Sequence, residues 1–127
     1  MKKARGTDTR LERVSKICNS LPKSVREVLG SHASFTVGGK TYAYYLHDHH
    51  GDGIIAVACK VLPGDNDALI AAHPEKFYLP AYIGPKGWVG LRLDIAGVDW
   101  TEVADLISGS YRLIAPKRLV AMLKAQA

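Results

Sequence analysis

The chain has 127 residues, of which 47% are hydrophobic and 23% charged, and its 17 Lys and Arg against 12 Asp and Glu give a formal net charge of +5. This length suits one hydrophobic core and excludes a multidomain enzyme, while the composition excludes a disordered or collagen-like chain. No apolar run approaches the roughly 18–20 residues that a membrane span needs, so we expect a water-soluble protein with no membrane partner.

The N-terminal residues begin with a positive charge but continue with polar residues, where a signal peptide has an apolar stretch. Cys18 and Cys59 have neither the spacing of a metal knuckle nor the density of a disulfide scaffold, so they are expected to be buried free thiols. These features predict a cytoplasmic protein with a flexible tail over residues 1–8 and a single domain over residues 9–127.

The N-terminal third begins with helical patterns. Thr9 and Glu12 fit a capping box and apolar residues follow at helical spacing, which predicts a first helix over about residues 9–20. A second capping pattern after Pro22 predicts one or two further helical turns over residues 24–30.

The rest of the chain alternates strand patterns with turns and helices. The Gly38-Gly39 turn indicates a β-hairpin, and the residues before and after it are the first of the expected strands. Strands are predicted over residues 35–37, 40–46, 54–61, 77–83 and 88–94. Helices are predicted over residues 65–73, from Asp99 onward, and from Pro116 at the first helical position of a last helix. The fold class is therefore α+β, with an antiparallel sheet of about five strands and the N- and C-terminal helices packed on one face as a two-layer sandwich.

The charge is unevenly distributed along the chain. Residues 1–30 carry +5 and residues 111–127 carry +4, whereas residues 31–110 carry −4. Such basic regions attract polyanions through long-range fields and counterion release. The basic candidates for binding a nucleic acid lie on the first helix and at the hairpin turns: Arg13, Lys16, Lys40 and Lys86.

A second candidate surface follows from the alternation of side chains along strands 54–61 and 88–94. One row of each strand is apolar and is expected to face the core. The opposite face would present Lys60, Trp88 and Arg92 over small residues, a platform of the kind that stacks bases or anchors a protein partner. The alternative is that a helix or a terminal segment covers Trp88.

The segment from His47 to Gly53 contains a cluster of histidine and aspartate side chains that are possible metal ligands. In an extended strand His47 and His49 project from one face. A nitrogen and oxygen site for zinc or another divalent ion could be completed by Asp48, His50 or Asp52. Aspartate and glycine are also ordinary turn formers, so a solvated turn is the simpler interpretation and no metal site is assigned.

No catalytic constellation is recognisable. Ser108 and Ser110 flank Gly109 without the pattern of a nucleophile elbow, and Cys59 lies on a strand expected to be buried. The sequence therefore predicts a protein that is not an enzyme and needs no cofactor.

Four segments in this order resemble the signature of the MmcQ/YjbR family of small bacterial proteins: Gly38-Gly39-Lys40, Phe77-Tyr78-Leu79-Pro80-Ala81-Tyr82, Gly87-Trp88-Val89 and Ser110-Tyr111-Arg112-Leu113. The resemblance spans about residues 10–125. It implies a CyaY-like (frataxin-like) fold and a proposed DNA-binding role through a double-wing arrangement of hairpins. The candidate wing at residues 47–53 carries two carboxylates, which repel phosphate unless the histidines of the same segment are protonated.

Two hypotheses of function result. The first is a monomeric, non-enzymatic protein that binds DNA through basic hairpins and helices. The alternative is an adaptor domain that binds another protein through the face of Lys60, Trp88 and Arg92.

Overall fold

The computed structural model describes residues 9–126, apart from the side chains of His50 and of residues 124–126. The predicted tail, residues 1–8, lies outside the described residues. The strands are β1 (Val25–Leu29), β2 (His32–Val37), β3 (Lys40–His47), β4 (Ile55–Lys60), β5 (Phe77–Tyr78) and β6 (Trp88–Arg92). The helices are α1 (Thr9–Asn19), α2 (Asp65–Ala72), α3 (Trp100–Ile114) and α4 (Lys117–Gln126), with short 3-10 turns at His49–Gly51 and Gly84–Lys86.

The strands form one antiparallel sheet in the order β1-β2-β3-β4-β6-β5. The predicted α+β class is confirmed, with six strands where about five were expected. None of the described helices is both long enough and apolar enough to cross a membrane.

The hydrophobic core lies between the sheet and helices α1 and α3. Burial alternates along β2, with Phe35 on the core face, and Val57 and Leu91 continue that face on β4 and β6. Val14 of α1 and Ile107 of α3 close the core from the helical side. The row of buried residues predicted from strand alternation is therefore the core face.

A β-bulge interrupts the alternation of side chains along β3. Phe35 pairs with Ala43 while Thr36 pairs with Thr41, so Tyr42 is the extra residue of β3. Its ring packs edge-on against Tyr111 of α3, with centroids 5.3 Å apart. The bulge thus puts two consecutive residues, Tyr42 and Ala43, into the core.

The helix predicted over residues 24–30 is wrong, because Val25–Leu29 is the edge strand β1. The capping pattern is a local signal, whereas five residue pairs with β2 hold this segment extended. Gly30, with a φ of +64°, supplies the turn that brings the two strands together. Arg26 then reaches back to α1 and donates a hydrogen bond to Ser15 Oγ at 3.0 Å.

The strand predicted over residues 77–83 ends early. β5 has only two residues, and residues 79–87 form a loop that turns back over the outer face of the sheet. The Gly84 amide donates to Pro80 O at 2.9 Å within this loop. Ile83 of this loop packs against the cluster that contains Trp88.

Candidate nucleic-acid interface

The ends of three neighbouring strands bring the predicted turn lysines together. Lys40 begins β3, Lys60 ends β4, and Lys86 precedes β6 by two residues. Because β3 pairs antiparallel with β4 and β4 pairs antiparallel with β6, these three positions lie at the same end of the sheet. All three side chains are exposed.

The last turn of α3 and the start of α4 lie at that end too. A Cβ at Gly38, in the β2–β3 turn, would lie 3.7 Å from the ring carbons of Pro116. Tyr111 Oη donates a 2.6 Å hydrogen bond to Pro22 O, which holds the loop after α1 against α3. Exposed basic residues from separate segments therefore gather here, and we call them the basic end: Lys23, Lys40, Lys60, Lys86, Arg112, Lys117 and Arg118.

Carboxylates border the basic end on one side. Asp67 lines a cavity of about 620 Å³ together with Lys60 and Lys86. Asp65 and Asp105 line a second cavity of about 300 Å³ on which Lys60 also borders. These carboxylates lie beside Lys60, so the β2–β3 turn and the α3–α4 corner are the parts of the basic end best suited to an anion.

The opposite end of the sheet is acidic. The β3–β4 loop and the segment between β6 and α3 carry the residues that we call the acidic end: Asp48, Asp52, Asp94 and Asp99. The candidate wing at residues 47–53 is part of this end, away from Lys40. The molecule is therefore electrically polar along the strands.

The candidate metal ligands lie at the end of β3 and in the β3–β4 loop. Asp52 Oδ1 accepts a 2.9 Å hydrogen bond from the Ile54 amide, which is the contact of a turn-forming aspartate. His32 Nε2 donates to His47 O at 2.9 Å, and the rings of His32 and His49 meet edge-on at 5.3 Å. Within the part of the chain that the structure describes, no three His, Cys, Asp or Glu side chains are grouped as a metal site.

Trp88 is not an exposed platform, and the alternative that it is covered is what the structure shows. Trp88 lies on the outer face, as the alternation predicted, but only 8% of it is accessible. The ring of Tyr44 packs against it at 5.4 Å, and Ile83 of the loop after β5 packs on the same cluster, which includes Leu46 and Ala58. The shortened β5 is the physical reason, because a strand through residue 83 would not have folded back over the indole.

Arg92 does not join Trp88 in one surface either. The two residues are four positions apart on β6, about 13 Å at the usual rise of a strand. Arg92 Nε and Nη2 donate to the two carboxylate oxygens of Asp94 at 3.0 and 3.1 Å. This hydrogen bonding lowers the pKa of Asp94 and commits the guanidinium to an ion pair at the acidic end.

The structure places Arg13 and Lys16 on the exposed side of α1, as predicted. It adds a partner that the sequence did not reveal, since the Arg13 guanidinium lies 4.2 Å from the centroid of the Trp100 ring. No local pattern links residues of α1 and α3 that are so far apart in the chain. Arg112, Lys117 and Arg118 were also not singled out, although the net charge of +4 over residues 111–127 was their signal.

The candidate nucleophiles have structural roles. Ser110 Oγ is buried, donates to Tyr42 O at 2.6 Å and accepts from the Lys60 amide at 2.9 Å. Burial raises the pKa of the Cys18 thiol to about 12 and that of Cys59 well above its ordinary value. Both cysteines are free and buried, so neither is an activated thiolate.

The fold and this end-to-end polarity describe a small two-layer α+β protein with a basic end. The family model described as YjbR matches residues 19–113, so the chain belongs to the YjbR family. Among solved structures, the chain is similar to a crystal structure of a Deinococcus radiodurans protein with a DUF419 domain, at 27% identity and a TM-score of 0.66. That similarity covers 81% of this chain and 76% of the other. No curated protein matches. The family and fold expected from the four sequence segments are thus confirmed.

Proposed function

We propose that this protein is a non-enzymatic, monomeric DNA-binding module of the cytoplasm whose basic end contacts the phosphate backbone. The observation that carries the proposal is the convergence of exposed lysines and arginines from separate segments at one end of the sheet. Family membership supports the proposal, because a DNA-binding role is what the family resemblance implies.

The charge polarity gives the binding a direction. A polyanion attracts the basic end and repels the carboxylates of the acidic end. Electrostatic forces therefore orient the protein before it contacts the DNA. Lysine and arginine at turn tips and helix ends suit phosphate contacts, which position a protein on DNA without reading its sequence.

The burial of Trp88 indicates which form of DNA the protein should bind. Because only 8% of Trp88 is accessible, its indole offers no face on which an unpaired base can stack. We therefore expect duplex DNA to bind at least as tightly as single-stranded DNA, with little dependence on sequence.

Fluorescence anisotropy of a labelled 16-base-pair duplex, titrated with the protein between about 50 and 200 mM salt, tests the proposal. If four or five phosphates are contacted, the logarithm of affinity falls with the logarithm of salt concentration at a slope of about −4. Absence of binding even at about 50 mM salt overturns the proposal.

Two double variants with the same change in net charge locate the interface. Lys40→Glu with Lys117→Glu reverses charges at the basic end, and Arg13→Glu with Lys16→Glu reverses them on α1. We expect the first variant to lose about tenfold or more in affinity and to show a shallower salt slope, and the second to lose less than about threefold. Equal losses would mean that net charge alone, and not the basic end, governs binding.

A further inference from the structure

A groove of about 620 Å³ runs between α1 and α3, on the helical side of the molecule. Arg13, Lys16 and Ile17 of α1 form one wall, and Trp100 and Ala104 of α3 form the other. Trp100 is partly buried against the core, so its indole is fixed in place. The groove thus combines a rigid apolar floor with two cations at its rim.

The acidic side chains of the two helices are directed elsewhere. Glu12 Oε2 lies 3.7 Å from the guanidinium of Arg26, and Glu102 Oε1 accepts a 3.0 Å hydrogen bond from Lys76 Nζ. Asp105 lines the cavity beside Lys60 on another side of α3. The charged side chains that line the groove are those of Arg13 and Lys16.

The amides at the start of α3 add little to this field. Asp99 caps the helix and accepts hydrogen bonds from the Thr101 and Glu102 amides at 3.0 and 3.3 Å. Recognition of an anion at the groove must therefore come from the two side chains of α1.

We propose that the groove binds an acidic amphipathic segment of a protein partner. An aliphatic or aromatic side chain of the segment inserts between Ile17 and Ala104, and flanking carboxylates pair with Arg13 and Lys16. Tryptophan and arginine fixed side by side are the residue types that dominate binding energy at protein interfaces.

The geometry favours a peptide over a nucleic acid in this groove. The Arg13 guanidinium stacks on the Trp100 ring at 4.2 Å, so a base cannot occupy that face of the indole. The groove also does not suit the N-terminal segment of this chain, because residues 1–8 carry three basic residues against one acidic residue. The inference is independent of the DNA-binding proposal, which rests on the basic end.

Selection from a library of random 12-residue peptides displayed on phage tests the inference. The library is selected on the wild-type protein after depletion on the Arg13→Glu, Lys16→Glu variant. We expect the enriched peptides to carry one or two large apolar residues flanked by Asp or Glu. Failure to enrich any peptide, or enrichment of basic or uncharged peptides, overturns the inference.

Synthetic fluorescein-labelled copies of the enriched peptides give the affinities. They should bind the Arg13→Glu, Lys16→Glu variant at least tenfold more weakly than wild type and the Lys40→Glu, Lys117→Glu variant equally well. Replacing the peptide's Glu with Gln should also weaken binding. Loss of peptide binding in the Lys40→Glu, Lys117→Glu variant, or loss of duplex DNA binding in the variant of α1, contradicts a separate peptide site.

A spectroscopic readout distinguishes docking from a change of fold. Peptide binding should shift the emission of Trp100 in the wild type, and the Trp100→Phe variant should lose that shift while keeping its circular dichroism melting curve within a few degrees. Peptide binding without any change in Trp100 emission would place the peptide elsewhere on the molecule.

Discussion

The side chain of Trp88 shows what strand alternation can and cannot say about one residue. Alternation along β6 assigns Trp88 to the outer face, and the register with β4 agrees, since Lys60 pairs with Trp88. Its burial depends on Tyr44, on Ile114 at the end of α3, and on Ile83 in a loop whose path no local pattern predicts. The face of this residue was therefore predictable and its burial was not.

Trp88→Ala should destabilise the fold by about 3–5 kcal/mol, because it removes a large buried aromatic and leaves a cavity. Urea denaturation measures the loss. In a Trp100→Phe background, iodide should quench the remaining Trp88 emission poorly. A loss below about 1 kcal/mol together with efficient quenching would show that Trp88 is exposed.

Tyr78 and Cys18 give the protein an expected pH dependence. Burial raises the pKa of the Tyr78 hydroxyl from 10.0 to about 12, with the carboxylates of Asp52 and Asp94 adding to the shift, and raises that of Cys18 from 9.0 to about 12. The unfolded chain therefore loses these protons at lower pH than the folded chain. Stability from this source is complete below about pH 9 and falls as pH rises toward 12. The urea concentration at the midpoint of unfolding, measured between pH 7 and 11, checks this. An increase of that concentration as the pH is raised above 9 contradicts it.

Tyr78→Phe serves as the control for that pH dependence. The Tyr78 hydroxyl is buried and has no hydrogen-bond partner among the described residues. Its removal should leave stability at pH 7 unchanged or slightly higher, and should make the decline above pH 9 less steep.

At the scale of the elements, a local capping signal predicted the start of α3. Asp99 was expected to start a helix, and it caps α3 through two backbone amides. The capping pattern before Gly30 was equally local but wrong, because pairing with β2 stabilises β1 as a strand. The groove between α1 and α3 could not be predicted, since it depends on how two distant helices pack.

The packing of β5 on β6 requires a glycine at position 90. A Cβ at Gly90 would lie 2.3 Å from Cε1 of Tyr78, whereas a Cβ at Gly109 of α3 would meet nothing within 4 Å. Gly90→Ala should therefore cost about 1–3 kcal/mol through overpacking, and Gly109→Ala should stabilise the helix by about 0.5–1 kcal/mol. Thermal unfolding of the two variants measures both effects. Similar shifts in the two variants would contradict the tight contact at Gly90.

At the scale of the whole molecule, the fold gathers cations at one end of the sheet and carboxylates at the other. The basic residues of 111–127 join the turn lysines because the β2–β3 turn packs against Pro116. The carboxylates from the acidic middle of the sequence form two groups in the fold. One group lies beside Lys60 and the other lies at the acidic end. The sequence alone predicted basic termini and an acidic centre, but not that one end of the sheet would collect the cations.

The most direct test of the account is to map the DNA contact on the folded protein by NMR. A ¹⁵N-labelled sample is titrated with an unlabelled 12-base-pair duplex at low salt, and backbone amide shifts are followed. The account predicts that the largest shifts occur around Lys40, Arg112 and Lys117 and that the amides of residues 47–53 stay nearly unchanged. Shifts concentrated in residues 47–53, or along the groove between α1 and α3, would contradict binding through the basic end.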